Sequence, residues 1–263
     1  MSQAEAATVT ADPLRDAEAQ LLAPAALDEA GLEQVFSRLL RPGVDFADLY
    51  FQATRREAWV LEDGIIREGS YSVDCGVGAR AVAGERTGFA YCDEIDLPGL
   101  LDAASAASAV ARGGASRRLE PFRAASGHRL YGADDPLASL GADDKVALLH
   151  RAEAAARDVD PRIVHVVASL AGAHDTVLVA GSEGGWAADV RPLVRLNVSV
   201  LAAAGERRES GSAGGGGRYT YTRLVAPERV EAYAREAARQ ALVNLEAEEA
   251  PAGNLPVVLG PGW

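Results

Sequence analysis

The feature that most constrains this chain is a stretch of strict two-residue alternation. Val190, Val194, Leu196, Val198 and Val200 are apolar, and Arg191, Arg195, Asn197 and Ser199 between them are polar. Successive side chains of a strand point to opposite faces, so this run has one dry face and one wet face. That pattern suits an antiparallel sheet covered on one side.

The same period recurs upstream. Ala47, Leu49, Phe51 and Ala53 alternate with Asp48, Tyr50, Gln52 and Thr54, and "LEDGII" follows with Asp63-Gly64, a hairpin signal. Tyr71 to Ala83 reads as the returning strand, and "AGERTG" turns it into "FAYCDE". Further on, Ile163–Leu170 and Thr176–Ala180 read as two short strands, with "GSEGG" as the next turn.

Between these runs the period lengthens to that of a helix. Leu32, Val35, Phe36 and Leu39 share one face of a helix over 31–40, stopped by Arg41, Pro42 and Gly43. Asp96 caps an Ala-rich helix from Leu97 to Arg112, with Pro98 in its first turn and Gly113-Gly114 past its end. Another follows Asp143 or Asp144, turning Val146, Leu149, Ala152 and Ala156 inward until Asp160-Pro161. A long helix opens at Pro227 with Val230, Tyr233, Ala234, Ala237, Ala241 and Leu245 as its stripe, and Glu231 one turn before Arg235. The fold class is therefore α+β: an antiparallel β-meander sheet packed with several helices.

The 263 residues divide into three parts. Residues 1–24 are Ala- and acid-rich with little periodicity and read as a disordered tail. Residues 25–248 form the α+β domain. After "EAEEAPAGN", residues 249–263 carry Val257, Val258 and Leu259 as the first strand of a further unit.

Composition excludes some functions. A net charge of −12 argues against nucleic acid and against an anionic membrane surface, because both need a basic face. No apolar run is long enough to span a bilayer, and the N-terminus lacks the pattern of a signal peptide. Cys75 and Cys92 read as two reduced thiols of a cytosolic protein.

Two motifs invite a cofactor. Gly76, Gly78 and Ala81 match G-x-G-x-x-A, but that site needs a helix to start there, and the alternation runs on through Ala83. The glycines thin a strand instead. "GSAGGGGR" lacks the Lys-Ser/Thr of a phosphate loop. It reads as a flexible hairpin tip, or as a loop in which Gly214, Gly215, Gly216 and Gly217 expose backbone N–H groups to a peptide or partner beside Arg218. His128, His150, His165 and His174 have no metal-ligand spacing, although His165 and His174 could face each other across the expected hairpin. There is no Gly-x-Ser-x-Gly elbow. On its own residues the chain shows no catalytic or metal site.

Three stretches, in order, are more specific: "DCGVGARAVAGERTGFAYCDEID", "SGSAGGGGRY" and "LPVVLGPGW". Together they resemble the N-terminal half of the TldD branch of the TldD/PmbA family, from about Leu32 to Trp263. The resemblance implies a cytosolic zinc metallopeptidase acting on small, unfolded peptides, built as a heterodimer with a metal-free PmbA- or TldE-like paralogue. In that family the segment resembling "PVVLGPGW" leads into a His-Glu-x-x-x-His helix that binds zinc, with a later cysteine completing the site. None of those residues is present here, so no catalytic residue carries over and no metal is expected on this chain alone. Residues 249–263 then read as the first strand of a truncated C-terminal metallopeptidase domain. Two readings follow: the N-terminal domain of such a peptidase, lacking its C-terminal half, or a stand-alone, non-catalytic module that binds peptide or the paralogous subunit.

Overall fold

The computed structural model describes residues 12–111, 117–125, 130–225, 228–248 and 252–260. His128, Pro227, the Gly113-Gly114 helix stop and the closing Pro261–Trp263 lie outside them. Within them the strands are β1 (Phe46–Glu62), β2 (Ile65–Ala83), β3 (Arg86–Cys92), β4 (Arg123–Ala124), β5 (Ile163–Gly181), β6 (Gly185–Ala204) and β7 (Arg207–Gly217). The helices are α1 (Pro13–Ala17), α2 (Glu29–Leu39), α3 (Leu97–Val110), α4 (Ala142–Arg157), α5 (Tyr221–Leu224) and α6 (Arg229–Glu246).

The strands make one sheet in the order β3-β2-β1-β5-β6, with β7 and the short β4 both pairing β6. Every pairing is antiparallel except β4 with β6. Asp63 and Gly64 turn β1 into β2 with φ of 45° and 78°, the left-handed pair that a tight hairpin needs.

Register explains the core. Phe51 lies opposite Leu178, and Leu61 opposite Ala168, so both pairs point to the same side of the sheet. Around Phe51 that side packs on α2 and α3 through Phe36, Leu39, Leu100 and Ala104; around Leu61 it packs on α4 and α6 through Leu149, Ala152, Ala237 and Ala241. Each fully buried Leu or Phe contributes about 1.5–3 kcal/mol. The two apolar clusters are separated by a polar strip on the same face, Thr176, Arg55–His174 and Glu57, which Gln20, Asp135 and Lys145 meet in turn.

Four expectations change. Residues 12–24 are not a tail: Asp12 caps α1, a π-turn over Glu18–Leu22 follows, and Ala17, Leu21 and Leu22 are buried. Trp186 also donates its indole N–H to Glu18 at 2.8 Å. Acid-rich composition hid three inward positions. The two short strands over 163–180 are a single β5, because β1 and β6 pair across the small, polar "AGAHD" from both sides. Val146 is only half-buried, and Lys145 and Leu148 turn inward from α4 in its place. Val257, Val258 and Leu259 are not in a strand and stand 76%, 95% and 90% exposed.

Candidate functional site

The glycine run is not a loop. Residues 207–217 form β7, with Gly214 opposite Asn197 and Gly216 opposite Arg195. A Cβ at Gly211 would lie 2.3 Å from the Ala237 carbonyl oxygen of α6, and one at Gly215 would lie 2.1 Å from the Tyr233 hydroxyl. The glycines are therefore there to let α6 and its tyrosine sit directly on the strand. Arg218, just past the strand, lies over the Tyr131 ring at 5.1 Å. Tyr131 donates its hydroxyl to Asp189 at 2.7 Å, and Arg191 donates to the same oxygen at 2.7 Å. The five residues singled out from sequence thus serve strand packing and one ring contact.

The histidines do not converge. His165 and His174 share strand β5 rather than facing across a hairpin. His165 places Nδ1 2.6 Å from Asp63, at the β1–β2 turn. Burial alone would raise the Asp63 carboxyl, but the Val166 N–H, His165 and Arg157 outweigh it and hold its pKa below the usual value. His174 is buried; Arg55 can only donate, so Nδ1 accepts its guanidinium at 3.0 Å and the proton sits on Nε2, aimed at the Ala133 carbonyl 3.4 Å away. Asp135 closes the cluster on Arg55 at 3.0 Å. Among the described residues no three His, Cys, Asp or Glu side chains are placed to hold a metal. No helix among them is long and apolar enough to cross a membrane.

The centre of the polar strip is an ion pair. Lys145 Nζ lies 2.6 Å from Glu57 Oε1, with the two side chains 5% and 9% exposed. The ammonium also donates to the Leu137 carbonyl at 3.0 Å and sits 5.2 Å from the Tyr221 ring centre. The Tyr221 hydroxyl presses on Gly172, where a Cβ would lie 2.2 Å from it. Burial, and then Glu57, pushes the phenol's pKa well above its ordinary value, so it stays protonated. The cluster's chemistry is structural: it ties β1 to α4 and α5.

The opposite face of the sheet is different. Even-numbered β1 residues point there, and a pocket of about 400 Å³ opens beside Tyr50, Thr54, Arg56 and Asp74. Its floor is Gly76 and Gly78, and its wall is Phe89 and Tyr91, stacked with ring centres 6.5 Å apart. These rings are 61% and 72% exposed. A Cβ at Gly78 would lie 2.9 Å from Phe89, so the glycine that mimicked a dinucleotide fingerprint seats an aromatic ring.

Residues 47–111 match the family model of the PmbA/TldA metallopeptidase domain 1, and residues 135–245 that of the PmbA/TldA metallopeptidase central domain. A metalloprotease TldD homolog of Haemophilus influenzae is 45% identical over 249 residues, covering 92% of this chain and 52% of that protein. One of Buchnera aphidicola subsp. Schizaphis graminum is 40% identical over 226 residues, covering 84% and 47%. The chain thus spans about half the length of the curated relatives it matches. Among solved structures, a candidate modulator of a DNA gyrase from Thermotoga maritima superposes with a TM-score of 0.66 at 17% identity, over 86% of this chain and 50% of that one. TldE from Thermococcus kodakarensis gives 0.57 at 14% identity, over 79% and 47%. These structures share the fold. The two family-model matches share one sheet, because β1 from the first pairs with β5 from the second along residues 48–62 and 167–181.

Proposed function

Because the chain belongs to the TldD branch of the PmbA/TldD metallopeptidase family, we propose that it is the N-terminal half of a zinc peptidase that cleaves small, unfolded peptides. The observation that carries this reading is the pairing of two coverages: 92% of this chain aligns, at 45% identity, with 52% of a TldD homolog. On this reading the chemistry lies in the part of the relatives with which these residues do not align.

Among the described residues no three His, Cys, Asp or Glu side chains stand together to hold a metal, so no step of zinc chemistry is assigned to them. The exposed segment around Val257, Val258 and Leu259 is suited to contact with the other half, because apolar side chains left wet forfeit the free energy of their burial. Cytoplasmic location, a PmbA- or TldE-like partner subunit, and the absence of nucleic-acid and membrane binding belong to the same proposal.

The test is reconstitution. The chain is co-expressed with the C-terminal half of a TldD protein carrying the His-Glu-x-x-x-His helix, with and without a TldE-like subunit. Zinc content and cleavage of an unfolded peptide are measured. A stable complex that binds zinc and cleaves peptide supports the reading. A chain that never associates with that half, while binding peptide alone, favours the stand-alone module.

A further inference from the structure

The outer face of the sheet, away from the helices, carries a second cavity, of about 520 Å³, over two adjacent rows of side chains. The first row runs from β2 to β6 as Ser72, Arg56, Ala173 and Leu193, and the second as Ser70, Ala58, Ala171 and Arg195. Partners in register and residues two apart along a strand share a face, so all eight stand on the same side. The floor is alanine on the central strands β1 and β5. The serines and Leu193 form the sides, and an arginine stands at each of two diagonally opposite corners.

The charges here run against those of the whole chain. Arg195 is exposed and makes no hydrogen bond or ion pair among the described residues. Arg56 leans on Asp74 at 3.4 Å, an exposed contact of little strength. The acid in the lining, Glu57, is turned to the other face and held by Lys145 at 2.6 Å. A chain of net charge −12 thus places two guanidiniums and no free carboxylate around one apolar floor. Main-chain groups are not on offer there, because β1 pairs with β2 and β5, and β5 with β1 and β6. An occupant is held by its charge and its apolar body.

We propose that this trough binds a free apolar monocarboxylate, with its carboxylate on Arg195 and its chain laid over Ala171, Ala173 and Ala58 toward the serines of β2. The guanidinium fork matches a carboxylate in shape and charge. The neighbouring row carries Asp74 and Asp175 beside the Arg56 corner, which steers an anion to the Arg195 corner. Four strands give the trough a length of about 14 Å, of which the Arg195 side chain takes the β6 end, leaving room for a chain of about eight carbons. The inference goes beyond the peptidase reading and does not depend on it.

The test needs only this chain. Octanoate, kept well below the concentration at which it forms micelles, is titrated into the full 15N-labelled protein while backbone amide shifts are followed. Saturable shifts confined to residues 56–58, 70–72, 171–173 and 193–195 are expected. Affinity should rise about twofold for each methylene from butanoate to octanoate, since a chain on an open floor is covered on one side. Octanamide, which lacks the charge, should bind roughly two- to five-fold more weakly than octanoate, and octanoate should lose as much on Arg195→Gln. Ala171→Leu fills the floor from an exposed, outward position and should abolish binding; if that variant misfolds, Arg195→Gln and the amide still decide. Shifts that never saturate, that gather on Leu255–Leu259, or that ignore both charge and chain length overturn the inference. So does loss of octanoate binding when a TldD C-terminal half is added, which would make that half the occupant of the trough.

Discussion

Lys145 reaches from α4 to within 2.6 Å of Glu57 on β1, in the strip that separates the two apolar clusters. A buried charge stripped of its partner is costly, about 3–5 kcal/mol, whereas replacing the pair together with apolar residues is often neutral. Lys145→Met alone should therefore lower stability by about that amount, and Lys145→Met with Glu57→Leu should recover most of it. Urea unfolding of the two variants measures the coupling. Equal losses in both would mean that the pair does not act as a unit.

The glycines of β7 make an opposite prediction from those of a flexible loop. Gly211→Ala would push a methyl to within 2.3 Å of the Ala237 carbonyl. Overpacking of this kind costs about 1–3 kcal/mol. Gly205, in the β6–β7 turn, has open space around it but φ of 63°, so alanine there should cost about 1 kcal/mol from backbone strain alone. Thermal unfolding of the two variants should rank Gly211→Ala as the more damaging. A harmless Gly211→Ala would restore the loop reading.

Asp63 sets an acid limit on the β1–β2 turn. Its folded pKa lies below the ordinary value of 3.8, because the Val166 N–H, His165 and Arg157 outweigh the burial that would raise it. A depressed carboxyl contributes stability that is fully present above its unfolded pKa and is lost as pH falls through the folded one. Asp63→Asn keeps a residue that tolerates φ of 45° but removes the titration. The variant's melting temperature should fall less steeply below about pH 4 than that of the parent. An unchanged acid limb would show that the three partners do not act on this carboxyl.

The two ends of the described chain should behave differently. Deleting residues 1–24 removes buried Ala17, Leu21 and Leu22 and the Glu18 partner of Trp186. With about 1.5–3 kcal/mol for each leucine, the loss is a large part of a domain's margin. Deleting everything after residue 248 removes Val257, Val258 and Leu259, which stand 76%, 95% and 90% exposed, and should leave the melting temperature where it was. A comparable loss from both deletions would show that the C-terminal segment is packed.

Much of this fold is written in periodicity. The alternation of Val194, Leu196, Val198 and Val200, the Asp63-Gly64 turn and the Asp96 cap each occur as read, because each is decided by neighbouring residues. What escaped depends on distant partners. Glu231 was expected to pair along its own helix with Arg235, yet it takes Arg151 of α4 at 2.7 Å. Gly211 and Gly215 read as part of a flexible hairpin tip until α6 is laid on them. The pocket was equally hidden, because Arg56, Asp74 and Tyr91 lie on three strands and meet only through register. Family resemblance, by contrast, was legible, since it rests on short stretches in order rather than on contacts.

The division of labour proposed above places the zinc site in the half of the relatives that these residues do not match. The direct measurement is zinc per molecule by elemental analysis after dialysis, with peptide cleavage assayed on the same samples, for the chain alone and for the chain co-purified with a TldD C-terminal half. Far less than one zinc and no cleavage are expected for the chain alone, and about one zinc with chelator-sensitive cleavage for the complex. Stoichiometric zinc with cleavage by the chain alone would overturn that division.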